Sequence, residues 1–259
     1  MRQAVIVGID RYPDAPLTAC VRDATDLAAC LALEQYGFDC TVLVDGQATR
    51  SAVLEAFAGA SLNGSGDVLM LYFAGHGALL GSAGFMVTVD AQGHDPGISL
   101  AHLAQLMESA SERWQHVIAV LDCCHAGAGF TWVSTRPLLL EHVERELPVI
   151  NQSRCLMAAC RNDESSVELP NDHGVFTAAL LDGLLGSAVD YDGRVTILGL
   201  HEYVARAIST DFPTPIFRGD LTGTVVLGTG FDPRSGPPVD PRQLAEELGK
   251  ASRLVDEYA

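Results

Sequence analysis

The chain has 259 residues, 48% of them hydrophobic, with 16 basic against 33 acidic side chains and a formal charge of −17 at neutral pH. That length can bury a large core in one α/β domain with a tail. The charge weighs against nucleic acid and anionic membrane as partners, because phosphate repels it, and favours basic peptides or divalent cations. The apolar start Met1–Gly8 is too short for a secretory segment and breaks at Asp10-Arg11. No stretch approaches the roughly 20 apolar residues that span a bilayer. Seven cysteines form an odd set without CxxC pairs, which suits reduced thiols and predicts a cytoplasmic location.

In chain order, short aliphatic runs alternate with longer helical patterns, the signature of a mostly parallel sheet flanked by helices. Strands are expected at Ala4–Ile9, Cys40–Val44, Val68–Phe73, Val117–Leu121, Cys155–Ala159 and, shorter, Thr224–Leu227, giving about six. Helical spacing marks Ala19–Gln35, with Val21, Leu27 and Leu31 on one face, and Thr49–Ala58, with Val53, Leu54 and Phe57. Ser99 reads as the N-cap of a helix to about Ser109. Further helices are expected at Val175–Leu185 and Leu198–Ile208. Residues 128–153 show no clear strand and read as a long functional or mobile loop. Phe231–Pro241, with four prolines, reads as a linker, and Arg242–Tyr258 as an amphipathic helix. The expected organisation is thus a domain over 1–230 and an appendage over 231–259.

Two strings carry chemistry. Tyr72-Phe73-Ala74-Gly75-His76-Gly77 follows the third strand, and Asp122-Cys123-Cys124-His125-Ala126-Gly127 follows the fourth. In an open parallel sheet, active groups gather at the carboxyl ends of strands. Two neighbouring strands ending in a histidine and a cysteine bring a base to a thiol. A thiol alone is mostly protonated at neutral pH, so the imidazole must take its proton or stabilise the thiolate. His76 is the expected base and Cys124 the nucleophile, with the N–H groups of Gly77 and Cys124 as oxyanion donors. Side chains alternate along an extended segment, so Asp122 and Cys124 share one direction and Cys123 turns the other way into the core.

The order of five strings resembles the caspase–metacaspase clan of cysteine peptidases. Ala4-Val5-Ile6-Val7-Gly8-Ile9-Asp10-Arg11-Tyr12 is similar to the clan's first strand and turn. Leu17-Thr18-Ala19-Cys20-Val21-Arg22-Asp23-Ala24 is similar to the metacaspase segment L-x-G-C-x-N-D-A, with Ala19 and Arg22 departing from it. The histidine and cysteine strings follow, and then Ala158–Ser166 and Gly174–Leu180. The resemblance spans roughly residues 3–228. It implies a caspase-like sandwich with His76 and Cys124 as the dyad. It also implies a pocket for a basic residue formed by Asp23, Asp122 and Cys20, in place of the arginine pocket with which true caspases select aspartate. Two carboxylates facing one slot hold an arginine or lysine and repel an acid, so the expected partner is a protein or peptide substrate cut after Arg or Lys.

The clan context also implies calcium as an activator, although no EF-hand spacing is present and no ligands are assigned. The chemistry itself requires no cofactor. Self-cleavage in the long loop is expected at Arg136 or Arg145, with Arg154 further on, and a regulatory domain or sensor partner in cell death or antiviral defence fits the same context. Zinc held by His76, Cys123, Cys124 and His125 is disfavoured, because adjacent residues do not converge on one tetrahedral ion. His125 reads as a packing residue, and His94, His102, His116, His142, His173 and His201 as surface or cap residues. The rivals are a catalytically silent scaffold of the same fold and an unrelated α/β hydrolase or nucleotide-binding enzyme. No GxSxG and no Gly-rich phosphate loop supports the latter.

Overall fold

A computed structural model of the protein describes residues 1–125, 154–160, 173–208, 215–221 and 223–232. The expected loop sites Arg136 and Arg145, nearly all of the proline-rich segment and the terminal helix lie outside these residues. The side chains of Cys124 and His125, at the end of their strand, also lie outside the described ones.

Among the described residues, ten strands and five helices follow the alternating pattern. They are β1 (Arg2–Gly8), α1 (Cys20–Leu31), β2 (Asp39–Val44), α2 (Arg50–Asn63), β3 (Gly66–Leu80), β4 (Ala83–Gln92), β5 (Asp95–Ser99), α3 (Leu100–Ala110), β6 (Trp114–His125), β7 (Arg154–Cys160), α4 (Val175–Asp182), β8 (Arg194–Thr196), α5 (Ile197–Ala207), β9 (Ile216–Asp220) and β10 (Val226–Thr229). The main sheet runs β2-β1-β3-β6-β7-β9, and β4 and β5 extend it from β3. β2, β1, β3, β6 and β7 are mutually parallel, while β9 is antiparallel to β7.

Period-two alternation divides the core into two faces. Leu69, Leu71 and Phe73 of β3 and Ala119, Leu121 and Cys123 of β6 pack with Val53 and Phe57 of α2 and Leu103 and Met107 of α3. Val68, Met70 and Tyr72, with Ile118 and Val120, face Leu27 and Leu31 of α1, Phe176 and Leu180 of α4, and Leu200 and Val204 of α5. A sheet with both faces covered accounts for the continuous aliphatic runs. Two helix starts carry side-chain caps: the Thr49 hydroxyl accepts from the Ala52 N–H, and the Ser99 hydroxyl from the His102 N–H.

Three differences from the sequence expectation bear on the site. β3 continues to Leu80 and β6 to His125, so His76 and Cys124 lie within paired strands rather than beyond their ends. The β4–β5 hairpin was not expected. It exists because β1 stops at Gly8, leaving the flank of β3 beyond Ala74 open, and β4 pairs there from Gly77 to Leu80. The segment expected at Thr224–Leu227 forms β10, but in a separate two-stranded sheet with β8; the sixth member of the main path is β9.

Candidate active site

The sheet register brings the two predicted reactive residues together. In the parallel β3–β6 ladder, His76 is the Cα partner of Cys124, and Gly77 of His125. Adjacent strands lie about 4.8 Å apart, so the backbones that carry the base and the thiol are immediate neighbours. Gly77 also faces Met86 of β4 on its other flank.

His76 is buried, and its position is set by the loop after β1. The Tyr12 ring lies against the imidazole, with centroids 4.5 Å apart and planes at 50°. The Tyr12 hydroxyl accepts the His76 backbone N–H at 3.1 Å and donates to the Val87 carbonyl at 2.9 Å. Nε2 of His76 stands 2.7 Å from the Ala15 carbonyl oxygen. A carbonyl only accepts, so Nε2 carries the proton and Nδ1 is the basic atom of the neutral ring. Gly75 permits this arrangement: a Cβ there would stand 2.5 Å from the Tyr12 hydroxyl oxygen.

Carboxylates anchor the same loop. Asp10 accepts the N–H groups of Cys20 at 2.8 Å and Val21 at 3.2 Å, satisfying the open first turn of α1. Burial raises its carboxyl above the usual range, against the lowering effect of those two bonds. Asp45, at positive φ, accepts the N–H groups of Asp10 and Arg11 at 2.8 and 2.9 Å. Close approach of α1 to β1 requires Gly8, where a Cβ would lie 2.2 Å from the Cys20 carbonyl oxygen.

The predicted pocket acids come together on the α1–α4 face. Asp23 and Asp122 are each 1% exposed. Asp122 accepts from the Thr177 hydroxyl at 2.8 Å, and that oxygen lies 2.6 Å from the Tyr72 hydroxyl. Thr177 has one proton and commits it to Asp122, so Tyr72 donates to Thr177. Asp23 contacts His173 Nδ1 at 2.7 Å and accepts the Gly174 N–H at 3.2 and 3.3 Å through its two oxygens. Burial pushes the Asp23 carboxyl up to about 6; the His173 bond opposes this, and the charge of Asp122 adds to it. Tyr72 is raised far above its ordinary value by burial and by the charges of Asp23 and Asp122, with a smaller contribution from Cys20. All three predicted pocket residues therefore act on one buried phenol.

Three other thiols are poor nucleophiles. Burial pushes Cys30 up to about 11 and Cys155 to about 12, and burial with the Asp39 charge pushes Cys40 to about 11, so none ionises appreciably at neutral pH. Cys123 sits in the α2–α3 core, as alternation predicts. Among the described residues no group of three or more His, Cys, Asp or Glu side chains could hold a metal ion. Among the same residues no helix is long and apolar enough to cross a membrane.

Sequence reasoning missed five participants. Tyr12 and Tyr72 lie in strings that were recognised but given no role. Gly174 and Thr177 stand three residues apart at the start of α4, one helical face that presents an N–H to Asp23 and a hydroxyl to Asp122. His173, expected as a surface or cap residue, stands next to the Gly174 N-cap of α4, with its side chain mostly buried against Asp23 and Asp26. Nothing in its local pattern signals a partner 150 residues away.

The backbone has close structural relatives. Protein GSU0716 from Geobacter sulfurreducens superposes with a TM-score of 0.59 at 20% identity, covering 88% of this chain and all of that one. The Drosophila initiator caspase Dronc gives 0.61 at 10% identity over 88% of this chain and 84% of its own. Caspase-1 from Spodoptera frugiperda gives 0.56 at 15% identity over 91% and 92%. These likenesses establish the fold. No curated protein matches the chain in sequence. The profile of the caspase domain matches residues 1–223, and with strands, order and flanking helices in agreement, the chain belongs to the caspase-domain family.

Proposed function

We propose that the protein is a cysteine endopeptidase that hydrolyses peptide bonds after arginine or lysine. The observation that carries this reading is the pairing of His76 with Cys124 across adjacent parallel strands, beside two buried carboxylates. Cys124 passes its thiol proton to Nδ1 of His76, and its sulfur attacks the scissile carbonyl carbon. The N–H groups of Gly77 and Cys124 are the proposed donors to the oxyanion. The C–N bond then breaks, and His76 returns the proton to the leaving amine. Water attacks the thioester carbon, gives a proton to His76, and the sulfur leaves and is reprotonated.

The Ala15 carbonyl supports the base by holding Nε2–H, which keeps Nδ1 available and favours the imidazolium during transfer. Asp23 and Asp122 form the receptor for the substrate's cationic side chain. Their mutual repulsion in a buried setting makes a guanidinium or ammonium a stabilising guest and an aspartate a repelled one. An arginyl fluorogenic peptide should be cleaved at least about 100-fold faster than its aspartyl counterpart, a difference near 3 kcal/mol. Equal rates, or cleavage that persists in Cys124→Ala, would overturn the assignment.

A further inference from the structure

The acid receptor already holds a basic side chain of the protein itself. His173 immediately precedes α4, and its side chain is 14% exposed. Nδ1 lies 2.7 Å from Asp23 Oδ1, and Nε2 lies 3.2 Å from Asp26 Oδ2. In a neutral imidazole one nitrogen donates and the other accepts. Here both nitrogens face carboxylates, so a ring with a proton on each satisfies both. Such a ring is a planar cation with two divergent N–H donors, the chemical features of the arginine side chain that Asp23 is proposed to receive.

We propose that His173 is a specificity-determining residue: it occupies Asp23 as an internal cation that a substrate arginine or lysine must displace. This rests on the reading of Asp23 as an acid of the receptor. Charged and titratable groups on the packed elements fit that role. From α1 come Asp23, Asp26, Cys20 and Arg22, whose half-exposed guanidinium lies 3.8 Å from Asp26. β6 supplies Asp122 and β3 supplies Tyr72, whose phenol burial and the acid charges hold protonated. Among these described groups, His173 is the one in hydrogen-bond contact with Asp23 that can carry positive charge.

The displacement has two consequences. A substrate that brings one cation to Asp23 forms its ion pair only after breaking another, so part of the receptor's affinity is offset. The cost of breaking the His173 contact is the same for either cation, and an arginine, which forms two parallel bonds to a carboxylate, offsets it more fully than a lysine does. His173 thereby sets a threshold of binding strength that a neutral side chain does not reach and that lysine exceeds by less than arginine. Asp26 retains the ring after displacement, because it bonds the opposite nitrogen.

The test compares wild type, His173→Ala, His173→Asn and His173→Arg on matched arginyl and lysyl peptides, with kcat and KM determined separately. His173→Ala should lower KM for both peptides, by about tenfold for each. His173→Asn, which keeps a hydrogen-bond donor but no charge, should behave similarly and covers the case of an unstable alanine variant. His173→Arg supplies a permanent resident cation and should raise KM by about tenfold or more, while Cys124 remains open to iodoacetamide. If wild type cleaves after arginine and the Ala and Asn variants leave KM unchanged or raise it, His173 merely braces Asp23 and this inference is overturned while the receptor stands. If wild type cleaves neither peptide, the function reading falls and this inference with it.

Discussion

The two faces of the central sheet are built from the same strands yet use polarity in opposite ways. On the α2–α3 face, β3 and β6 contribute Leu69, Leu71, Phe73, Ala119, Leu121 and Cys123 to an apolar core. The buried Ser61 hydroxyl on that side returns to the Phe57 carbonyl of its own helix at 2.7 Å. On the α1–α4 face, the same strands carry Tyr72 and Asp122, and the covering helices answer with Asp23 and Thr177. Burying two carboxylates that raise each other's energy costs stability unless something positive joins them. The neighbouring face shows that the fold itself does not require this cost, which is what makes the acid pair the candidate receptor proposed above.

Adjacent cysteines give the sharpest way to break this contrast. Cys124→Ala should reduce cleavage by at least about 1,000-fold, the loss expected when a nucleophile is removed. Cys123→Ala should keep kcat/KM within a few-fold and cost about 1 kcal/mol in urea unfolding, from lost packing. Comparable losses of activity in the two variants would show that the faces are not divided as described.

Thr177 probes the polar face more gently. Thr177→Val keeps the shape but removes the donor to Asp122 and the acceptor for Tyr72, leaving buried groups unsatisfied at a cost of about 1–3 kcal/mol. Thr177→Ser should recover most of that stability and of any accompanying rise in KM for the arginyl peptide. Failure of serine to recover either would assign the effect to the methyl group and to packing.

The smallest expected effect is on pH dependence. The folded-state pKa of Asp23, near 6, lies above its ordinary value of 3.8. The folded protein therefore binds this proton more tightly than the unfolded chain, so the associated stability is complete below about pH 4 and is lost as pH rises through about 6. Asp23→Asn should shrink the fall in Tm between pH 4 and pH 7 relative to wild type. An unchanged or steeper fall would mean that the carboxyl is not held in its raised state.

Much of the site was legible before any coordinates, and the residues that escaped share a cause. His76 and Cys124 could be found because each follows an aliphatic run long enough to be a buried parallel strand, and such strands put their carboxyl ends on one edge. Asp23, Asp122 and Cys20 were found through resemblance to a family, since a lone acid on a helix reads equally well as a solvated one. His173 and Thr177 had no such signal. Their partners lie 150 and 55 residues away in the chain, and hydrogen bonds at that separation leave no periodicity.

Hydrophobic pattern alone was enough for the α/β class, the parallel order of the principal strands and the outward or inward sense of Cys123, because period-two burial is a local property of each strand. Strand length, the β4–β5 hairpin and the membership of β9 were decided only by packing. β3 keeps pairing beyond Ala74 because β1 ends and vacates a flank, and no residue of β3 announces that. The same holds for the receptor: composition supplies an excess of acids, but docking of α1 and α4 onto the sheet determines which two become buried neighbours and which histidine meets them.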